Sequence, residues 1–143
     1  MKKILFICHG NICRSPMAEF MLKNMVDDNY IIDSKATSYE EIGNDIHCGT
    51  KHILDKYNIP YTKRKAQRFE ESDYDYYDYI LCMDDYNILN LNRIKKDNLS
   101  KYKKIRYLID NKDVSDPWYT GDFEKTYKDI LEALQEFLKE LEK

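Results

Sequence analysis

The sequence predicts an α/β fold in which a parallel sheet is covered by helices on both faces. Short apolar runs with β-branched residues alternate along the chain with segments of helical periodicity. Strands that alternate with helices are joined by right-handed crossovers, which place helices on both faces of a parallel sheet. The 143 residues include only four glycines and three prolines, so each of them is expected to mark a boundary between elements.

The predicted elements follow one another in strand–helix order. Residues 4–7 form a short apolar run that is typical of a strand buried on both faces. The first helix is predicted to begin with Ser15 as its cap and Pro16 in its first turn. The remaining elements are predicted as a strand at 31–38, a helix at 49–57, a strand at 79–83, a helix at 84–96, a strand at 105–108 and a strongly amphipathic helix at 123–141.

Length and composition indicate a single globular domain that covers residues 1–143. With 43% hydrophobic and 34% charged residues, the chain does not resemble a disordered tail, a collagen-like repeat or a small disulfide scaffold. A net charge of −3 gives little support to nucleic-acid binding. We expect a monomer or a weak dimer.

Targeting signals and metal-binding patterns are absent from the sequence. The apolar run after Lys2 and Lys3 ends at Cys8, too short for a signal peptide, and no stretch approaches the roughly 18 apolar residues of a membrane span. The prediction is a cytoplasmic protein without membrane contact, whose cysteines are reduced thiols. The four cysteines and three histidines are not spaced as a zinc site, so we expect no metal and no other cofactor.

The segment from Cys8 to Ser15, between the first strand and the first helix, reads Cys-His-Gly-Asn-Ile-Cys-Arg-Ser. Ligands of such folds bind at the carboxyl ends of the strands. Backbone N–H groups of a tight loop and the positive end of a helix dipole form an anion cradle, and Arg14 adds a planar fork that matches two phosphate oxygens. A thiol in that field loses its proton readily, which predicts a nucleophilic Cys8 facing a bound phosphoryl group. The alternative is a Cys8 that is only a buried core cysteine.

A second candidate segment precedes the last helix and reads Asp-Pro-Trp-Tyr, from Asp116 to Tyr119. Pro117 pushes Asp116 into an extended conformation, and a loop after a parallel strand opens at the same edge of the sheet as the Cys8 loop. Attack of a thiolate on a phosphate ester requires a proton for the leaving group, which Asp116 can donate as a general acid. The alternative is a turn whose aromatic residues cover the core.

The residues from Ile4 to Glu19 resemble the signature of the low-molecular-weight protein tyrosine phosphatases. The resemblance continues in family order over nearly the whole chain, at Asp33-Ser34, Thr37-Ser38, Ile42-Gly43, residues 79–84, and Asp116-Pro117 with Tyr119. It implies a three-layer α-β-α fold with a four-stranded parallel sheet and a phosphate-binding loop after the first strand. It also implies hydrolysis of phosphotyrosine in proteins, and of small aryl phosphates.

The resemblance further implies a role for each matching residue. Cys8 is implied as the nucleophile that forms a phosphocysteine intermediate, Arg14 as the phosphate clamp, and Asp116 as the general acid and then the general base. The implied phosphate-binding and loop-shaping residues are His9, Gly10, Asn11, Ile12, Cys13, Ser15 and Ser34.

Three of these residues have particular implied partners. Ser15 is the implied hydroxyl partner of the thiolate, and Ser34 is among the implied partners of Asn11. Cys13 is implied as the thiol that can trap an oxidised Cys8.

The rim of the substrate cleft is expected to include Tyr39, Glu40, Trp118 and Tyr119. A deep slot excludes the shorter phosphoserine, so we expect a preference for phosphotyrosine. Glu40 and Glu41 would repel acidic flanking residues, which predicts that basic or neutral peptides are the better substrates.

Three departures from the family pattern lie near the predicted site. At residues 34–37 the family usually has Ser-Ala-Gly-Thr, whereas this chain has Ala36 in the glycine position. A histidine commonly stands where this chain has Arg64, so we expect altered hydrogen bonds around Asn11. An aromatic rim residue is often found where this chain reads Tyr39-Glu40-Glu41.

Two charged segments are predicted to be solvated surface. One is the basic run at 63–68, and the other is the acidic, tyrosine-rich run at 70–79.

Two other functions fit parts of the pattern. Arsenate reductases of the same fold also have the Cys-x5-Arg loop, but they relay oxidation through later cysteines, and Cys82 has no such partner after it. A phosphotyrosine-binding or redox-sensor module would use the cradle without turnover, but it would not need the acid Asp116.

Overall fold

The computed structural model describes residues 1–95, 104–109 and 112–142. Four strands form one parallel sheet in the order β2-β1-β3-β4. In chain order the elements are β1 (Lys2–Cys8), α1 (Arg14–Met25), β2 (Tyr30–Ala36), α2 (Cys48–Lys56), α3 (Glu71–Tyr76), β3 (Tyr79–Cys82), α4 (Asp85–Ile94), β4 (Ile105–Tyr107), α5 (Pro117–Thr120) and α6 (Phe123–Leu141). The predicted α/β fold with a four-stranded parallel sheet is confirmed.

The sheet separates two apolar layers, as the alternation of side chains along β1 requires. Ile4 and Phe6 face a core formed with α1, α2 and α6. Leu5 and Ile7 face a smaller core formed with α3 and α4. All four side chains are fully buried. The chain is therefore three layers thick, and β1 lies in the middle of the sheet.

The register of the parallel strands brings the loops that follow them together. Cys8, the last residue of β1, pairs with Ala36, the last residue of β2, and Ile7 pairs with Cys82 at the end of β3. The loops after β1, β2 and β3 therefore leave the sheet at the same edge, which is where ligands bind in folds of this kind.

Two predicted boundaries differ from the structure. β2 ends at Ala36 rather than at residue 38, and the backbone N–H groups of Thr37 and Ser38 beyond it donate to the carbonyl oxygens of Cys8 and His9, at 3.1 Å each. Helix α1 begins at Arg14, and its N-cap residue Cys13 makes no side-chain cap. The prediction of Ser15 as the cap is wrong.

Two short helices were not predicted. Helix α3 is stabilised by a reciprocal capping box between Glu70 and Asp73, which is made by two acidic residues instead of the usual Ser or Thr. Helix α5 begins after Asp116, which caps it, and ends at Gly121 in a left-handed conformation with φ of 70°. The prediction of a fully solvated segment at 70–79 is wrong, because Asp73 and Tyr77 are buried.

The remaining predicted elements lie close to the observed ones. Helix α6 has the predicted bounds, and β3 and β4 each end one residue earlier than predicted. Helix α4 begins after its cap Asp84 and ends at Ile94; the predicted end at Lys96 lies outside the described residues. None of the described helices is long and apolar enough to cross a membrane.

Candidate active site

The loop between β1 and α1 surrounds the thiol of Cys8. Its Sγ lies 3.0 Å from Oγ of Ser15, and it accepts a hydrogen bond from the backbone N–H of Asn11 at 3.3 Å. Only 3% of Cys8 is exposed. Ser15 does not cap α1 because it lies inside the helix, after Arg14, where its hydroxyl faces the thiol. The sulfur therefore has polar contacts with both the loop and the first turn of α1.

Asn11 is the residue that sets the shape of the loop. Its φ is 60°, in the left-handed region that asparagine tolerates better than most residues. Its Nδ2 donates to Oγ of Ser15 and to Oγ of Ser34, at 2.8 Å each, and its Oδ1 accepts from the N–H of Gln67 at 3.2 Å. Its carbonyl oxygen accepts from the guanidinium of Arg64. These bonds together hold a conformation that is unfavourable for most residues.

Arg64 and Arg68 are not solvated surface, which corrects the prediction for the basic run at 63–68. Both are partly buried and donate to backbone carbonyl oxygens, Arg64 to Asn11 and Arg68 to Thr37 at 3.2 Å. Burial lowers the pKa of Arg64, an effect that nearby negative charges oppose. Lys63 and Lys65 are exposed, as predicted for the run.

The guanidinium of Arg14 is buried beside two carboxylates. Nη1 lies 2.9 Å from Oδ2 of Asp84, and Nη2 lies 3.3 Å from Oδ2 of Asp116. Nη1 also donates to the carbonyl oxygen of Val114 at 3.0 Å. Burial lowers the pKa of Arg14, but the negative charges of Cys8, Asp84 and Asp116 outweigh that effect and raise it. Arg14 is therefore a fixed cation at this site.

Asp116 lies at the site because it caps the short helix α5. Its Oδ1 accepts from the N–H of Trp118 at 3.0 Å, while Oδ2 lies on Arg14. Pro117 occupies the first helical position, where its missing N–H costs nothing. The side chain of Asp116 remains 27% exposed, so a proton can be exchanged with a ligand or with water.

A cavity of about 640 Å³ opens in front of the loop. Its lining residues are Cys8, His9, Gly10, Ile12, Cys13, Arg14, Glu40, Glu41, Asp84, Tyr86, Asn87, Asn90, Asp116, Trp118 and Tyr119. Of the predicted rim residues, Glu40, Trp118 and Tyr119 line this cavity and Tyr39 does not. The ring of Tyr39 packs instead against the guanidinium of Arg68, at 4.2 Å from the ring centroid.

The loop and the acidic rim approach each other closely at Gly10. A Cβ at Gly10 would lie 3.1 Å from Cγ of Glu41, so a larger residue would displace that side chain. The next contact along the rim is between Nε2 of His9 and Oε2 of Glu40, at 2.9 Å and largely exposed to solvent.

Cys13 lies in the same loop but in an apolar environment. It is 6% exposed and packs with Ile12 and Ala66. Burial, followed by the negative charge of Cys8, raises the pKa of the Cys13 thiol to about 12. At neutral pH Cys13 is therefore protonated.

Asp84 and Glu19 are two residues of the site that the sequence interpretation missed. Asp84 follows β3 directly and contacts Arg14 through one carboxylate oxygen while the other caps α4. Its position after the carboxyl end of a parallel strand was the available signal. Glu19 accepts from Oγ of Ser34 at 2.6 Å and thereby extends the network that holds Asn11. No spacing in the sequence indicates that contact.

A thiol, a guanidinium and a carboxylate therefore surround one cavity at the carboxyl edge of a parallel sheet. Among the described residues, no group of three or more His, Cys, Asp or Glu is arranged to hold a metal ion. A thiol nucleophile, an anion clamp and a proton donor are the groups that define a thiol-dependent phosphatase.

Residues 3–143 match the family described as low molecular weight phosphotyrosine protein phosphatase, and the chain belongs to this family. It is an enzyme, a protein-tyrosine-phosphatase. The low molecular weight protein-tyrosine-phosphatase PtpA of Staphylococcus haemolyticus is 37% identical over 134 residues, which is 90% of this chain and 86% of the relative.

Two crystal structures are similar to this chain in both fold and sequence. One is SP-PTP, the low molecular weight protein tyrosine phosphatase of Streptococcus pyogenes, with a TM-score of 0.92 and 43% identity over 99% of this chain and 93% of that one. The other is YfkJ of Bacillus subtilis, with a TM-score of 0.89 and 33% identity over 99% of this chain and 95% of that one.

Proposed function

We propose that this enzyme hydrolyses phosphotyrosine in proteins, and small aryl phosphates, through a phosphocysteine intermediate on Cys8. The observation that supports this most directly is the Cys8 thiol in the lining of the cavity, hydrogen-bonded to the loop and close to the buried cation Arg14. The predicted nucleophile, clamp and proton donor all line this one cavity.

In the first step the Cys8 thiolate attacks phosphorus, an S–P bond forms and the P–O bond to the phenol breaks. The donors of Arg14 that now contact Asp116 are taken over by phosphate oxygens, because a dianion is the stronger acceptor. Asp116, thus released from Arg14, takes up a proton from solvent and donates it to the departing phenolate oxygen. In the second step Asp116 accepts a proton from water, the water oxygen attacks phosphorus, and the S–P bond breaks. Both steps use only side chains of the enzyme, the substrate and water.

A reversible oxidation of the same loop is part of the proposal. Peroxide converts the Cys8 thiolate to a sulfenic acid with release of hydroxide. Condensation of that sulfenic acid with the Cys13 thiol forms a disulfide and releases water. Because the pKa of Cys13 is raised to about 12, this condensation is slow at neutral pH.

Hydrolysis of p-nitrophenyl phosphate near pH 5–6, with EDTA present, tests the proposal. Steady turnover supports the phosphatase. Binding of phosphate without turnover would indicate a binding or redox-sensor module, and arsenate-dependent thiol oxidation would indicate an arsenate reductase. A relay through Cys82 is disfavoured, because complete burial raises its pKa well above the ordinary value. Tyrosine-phosphorylated partners, the cytoplasmic location and a monomer or weak dimer stay predictions.

A further inference from the structure

The phosphate-binding loop lies between two cavities. The larger one contains the thiol of Cys8 and is described above. A second cavity of about 290 Å³ lies behind the loop, and Asn11, Ser34 and Arg64 are in its lining. Asn11 lines only the rear cavity, whereas the next residue, Ile12, lines only the front one. The peptide unit between Asn11 and Ile12 therefore crosses from one side of the loop to the other.

Arg64 holds this peptide unit by its carbonyl oxygen. One guanidinium nitrogen of Arg64 donates to the carbonyl oxygen of Asn11, and the other donates to that of Asn44 at 3.2 Å. The backbone N–H of Arg64 donates to Oδ1 of Asp45 at 3.1 Å, so the residue is anchored at both ends. Both acceptors of the Arg64 guanidinium are neutral carbonyl oxygens, whereas the guanidinium of Arg14 faces two carboxylates.

The orientation of that peptide unit has a chemical consequence at the front of the loop. No peptide bond in the described chain is cis. In a trans peptide the C=O and the following N–H point in opposite directions. Because the carbonyl oxygen of Asn11 points at Arg64 behind the loop, the N–H of Ile12 points away from Arg64, toward the cavity where phosphate would bind. A cation on the carbonyl also polarises the peptide and strengthens its N–H as a donor.

We propose that Arg64 is a positioning residue that directs and strengthens the Ile12 N–H as a donor to the bound phosphoryl group. It acts through the peptide unit and touches neither substrate nor thiol. A guanidinium remains charged throughout the pH range of phosphatase assays, so this support does not titrate. The proposal rests on the phosphate-binding role of the loop given above.

The substitutions Arg64→Gln and Arg64→Lys separate the charge of the side chain from its shape. Arg64→Gln keeps a donor but removes the charge, and Arg64→Lys keeps the charge without the fork. Lys65→Gln is the matched control, because Lys65 is exposed in the same rear cavity and loses the same charge. Removing an oxyanion donor outright costs roughly 10²- to 10³-fold in kcat, and a misdirected donor costs less. We expect kcat/KM for p-nitrophenyl phosphate to fall about tenfold in Arg64→Gln, severalfold in Arg64→Lys and less than twofold in the control.

The substitution Arg64→His provides a readout that a merely structural role would not change. A histidine is charged at low pH and becomes neutral as pH rises through its pKa, ordinarily about 6.5. The ratio of wild-type to Arg64→His activity should therefore increase as pH rises from about 5.5 to 7.5. The same ratio for Arg64→Gln should stay constant over this range, because neither side chain changes its charge.

Binding of inorganic phosphate, measured by calorimetry, distinguishes failure of this proposal from failure of the proposed function. An inactive wild-type enzyme would contradict the function, and calorimetric phosphate binding by wild type and Arg64→Gln would still test the role of Arg64. Arg64→Gln should bind phosphate about tenfold more weakly. Arg64 is not a positioning residue if folded Arg64→Gln matches Lys65→Gln in both kcat/KM and phosphate affinity. If thermal melting shows Arg64→Gln to be unfolded, Arg64→Lys decides, and unchanged kcat/KM in that variant would overturn the proposal.

Discussion

The loop at residues 8–15 and the rim of the cavity are built in opposite ways. In the loop, Asn11, Arg14 and Ser15 are at most 2% exposed. On the rim, Trp118 is 61% exposed and Tyr119 is 84% exposed. The loop is held by hydrogen bonds that arrive from β2, α1 and the segment at 64–67, whereas the rim is open to solvent.

This difference separates the chemistry of the enzyme from its selectivity. Buried, fully bonded groups are preorganised, so a change in the loop should affect every substrate alike. Exposed side chains contribute little to the reacting atoms and act on whatever surrounds the phosphotyrosine, so a change in the rim should affect some substrates more than others. Four predictions test this separation.

Replacement of Cys8, the proposed nucleophile, should have the largest effect. Cys8→Ser nearly keeps the size of the side chain but replaces the sulfur nucleophile with a hydroxyl, so turnover should fall more than about 1,000-fold. Phosphate should still bind, because Arg14 and the loop amides remain. Kinetics with p-nitrophenyl phosphate and calorimetry with phosphate measure the two properties. Cys48→Ser is the control, since Cys48 is exposed and is absent from the cavity lining. Activity of Cys8→Ser above a thousandth of wild type would remove Cys8 from the nucleophile role.

Replacement of Asp116, the proposed general acid, should have the second largest effect, and its size should depend on the leaving group. Asp116→Asn keeps an oxygen to cap α5 but cannot donate a carboxylic proton. A tyrosine phenolate, with a pKa of about 10, needs that proton far more than p-nitrophenolate does. We expect a loss of about 100-fold or more with phosphotyrosine and about tenfold with p-nitrophenyl phosphate.

The control for this leaving-group experiment is Asp113→Asn, which changes an exposed aspartate close by in the chain. Equal losses on both substrates would mean that Asp116 only shapes the loop. A loss of activity on phosphotyrosine alone, with hydrolysis of p-nitrophenyl phosphate unchanged, would agree with the role of Asp116 as an acid. It would mean that only the poorer leaving group depends on the donated proton.

The loop could be predicted from the sequence because its functional residues are contiguous. Cys8, Gly10 and Arg14 lie within seven residues that begin at the end of a buried strand, and the strand–loop–helix order places them at the carboxyl edge of the sheet. The link from Asn11 to Ser34 was reached through the family resemblance. The departure at Ala36 is accommodated in β2, where the backbone needs no positive φ and hence no glycine.

What could not be predicted depends on tertiary contacts. The family resemblance marked Arg64 as a departure near Asn11, but its basic run looks like solvated surface, and only the folded chain shows the guanidinium donating to the carbonyl oxygen of Asn11. Tyr39 was expected at the rim from its position in the sequence, but Arg68 provides a flat cationic surface that draws its ring away. A long flexible side chain can reach several partners, and sequence spacing does not select one of them.

Oxidation of the loop should give an intermediate effect that depends on pH. Burial raises the pKa of the Cys13 thiol to about 12, so the thiolate fraction is very small at neutral pH. At pH values below the pKa, this fraction increases about tenfold for each unit by which the pH is raised. After a pulse of peroxide, the rate of Cys8–Cys13 disulfide formation should therefore rise from pH 6.5 to 8.5. Mass spectrometry of quenched samples measures it.

The variant for the oxidation experiment is Cys13→Ser, with Cys48→Ser as the control. Cys13→Ser should retain turnover but recover severalfold less activity after peroxide and subsequent thiol reduction, because an untrapped sulfenic acid proceeds to the irreversible sulfinic acid. Bound phosphate should protect both proteins. Sulfinic acid on Cys8 with Cys13 still free in the wild-type enzyme, at every pH, would exclude the trap.

A change at the rim should have the smallest effect, and the effect should be selective. The cavity lining has the carboxylates of Glu40, Glu41, Asp84 and Asp116, and Arg14 is already paired with the last two. A phosphotyrosine peptide brings further negative charge, so basic flanking residues should be favoured over acidic ones about three- to tenfold in kcat/KM at low salt, and less at high salt.

Glu40→Gln should reduce that preference by about half or more. Its activity on p-nitrophenyl phosphate, which has no flanking residues, should stay within twofold of wild type. Glu136→Gln, an exposed glutamate on α6, should leave both unchanged. A wild-type preference for the acidic peptides would show that the rim charges do not govern selectivity. A loss in Glu40→Gln that is equal for p-nitrophenyl phosphate and for all peptides would show that the rim and the loop are not separate, because a surface charge would then be acting on the chemical step itself.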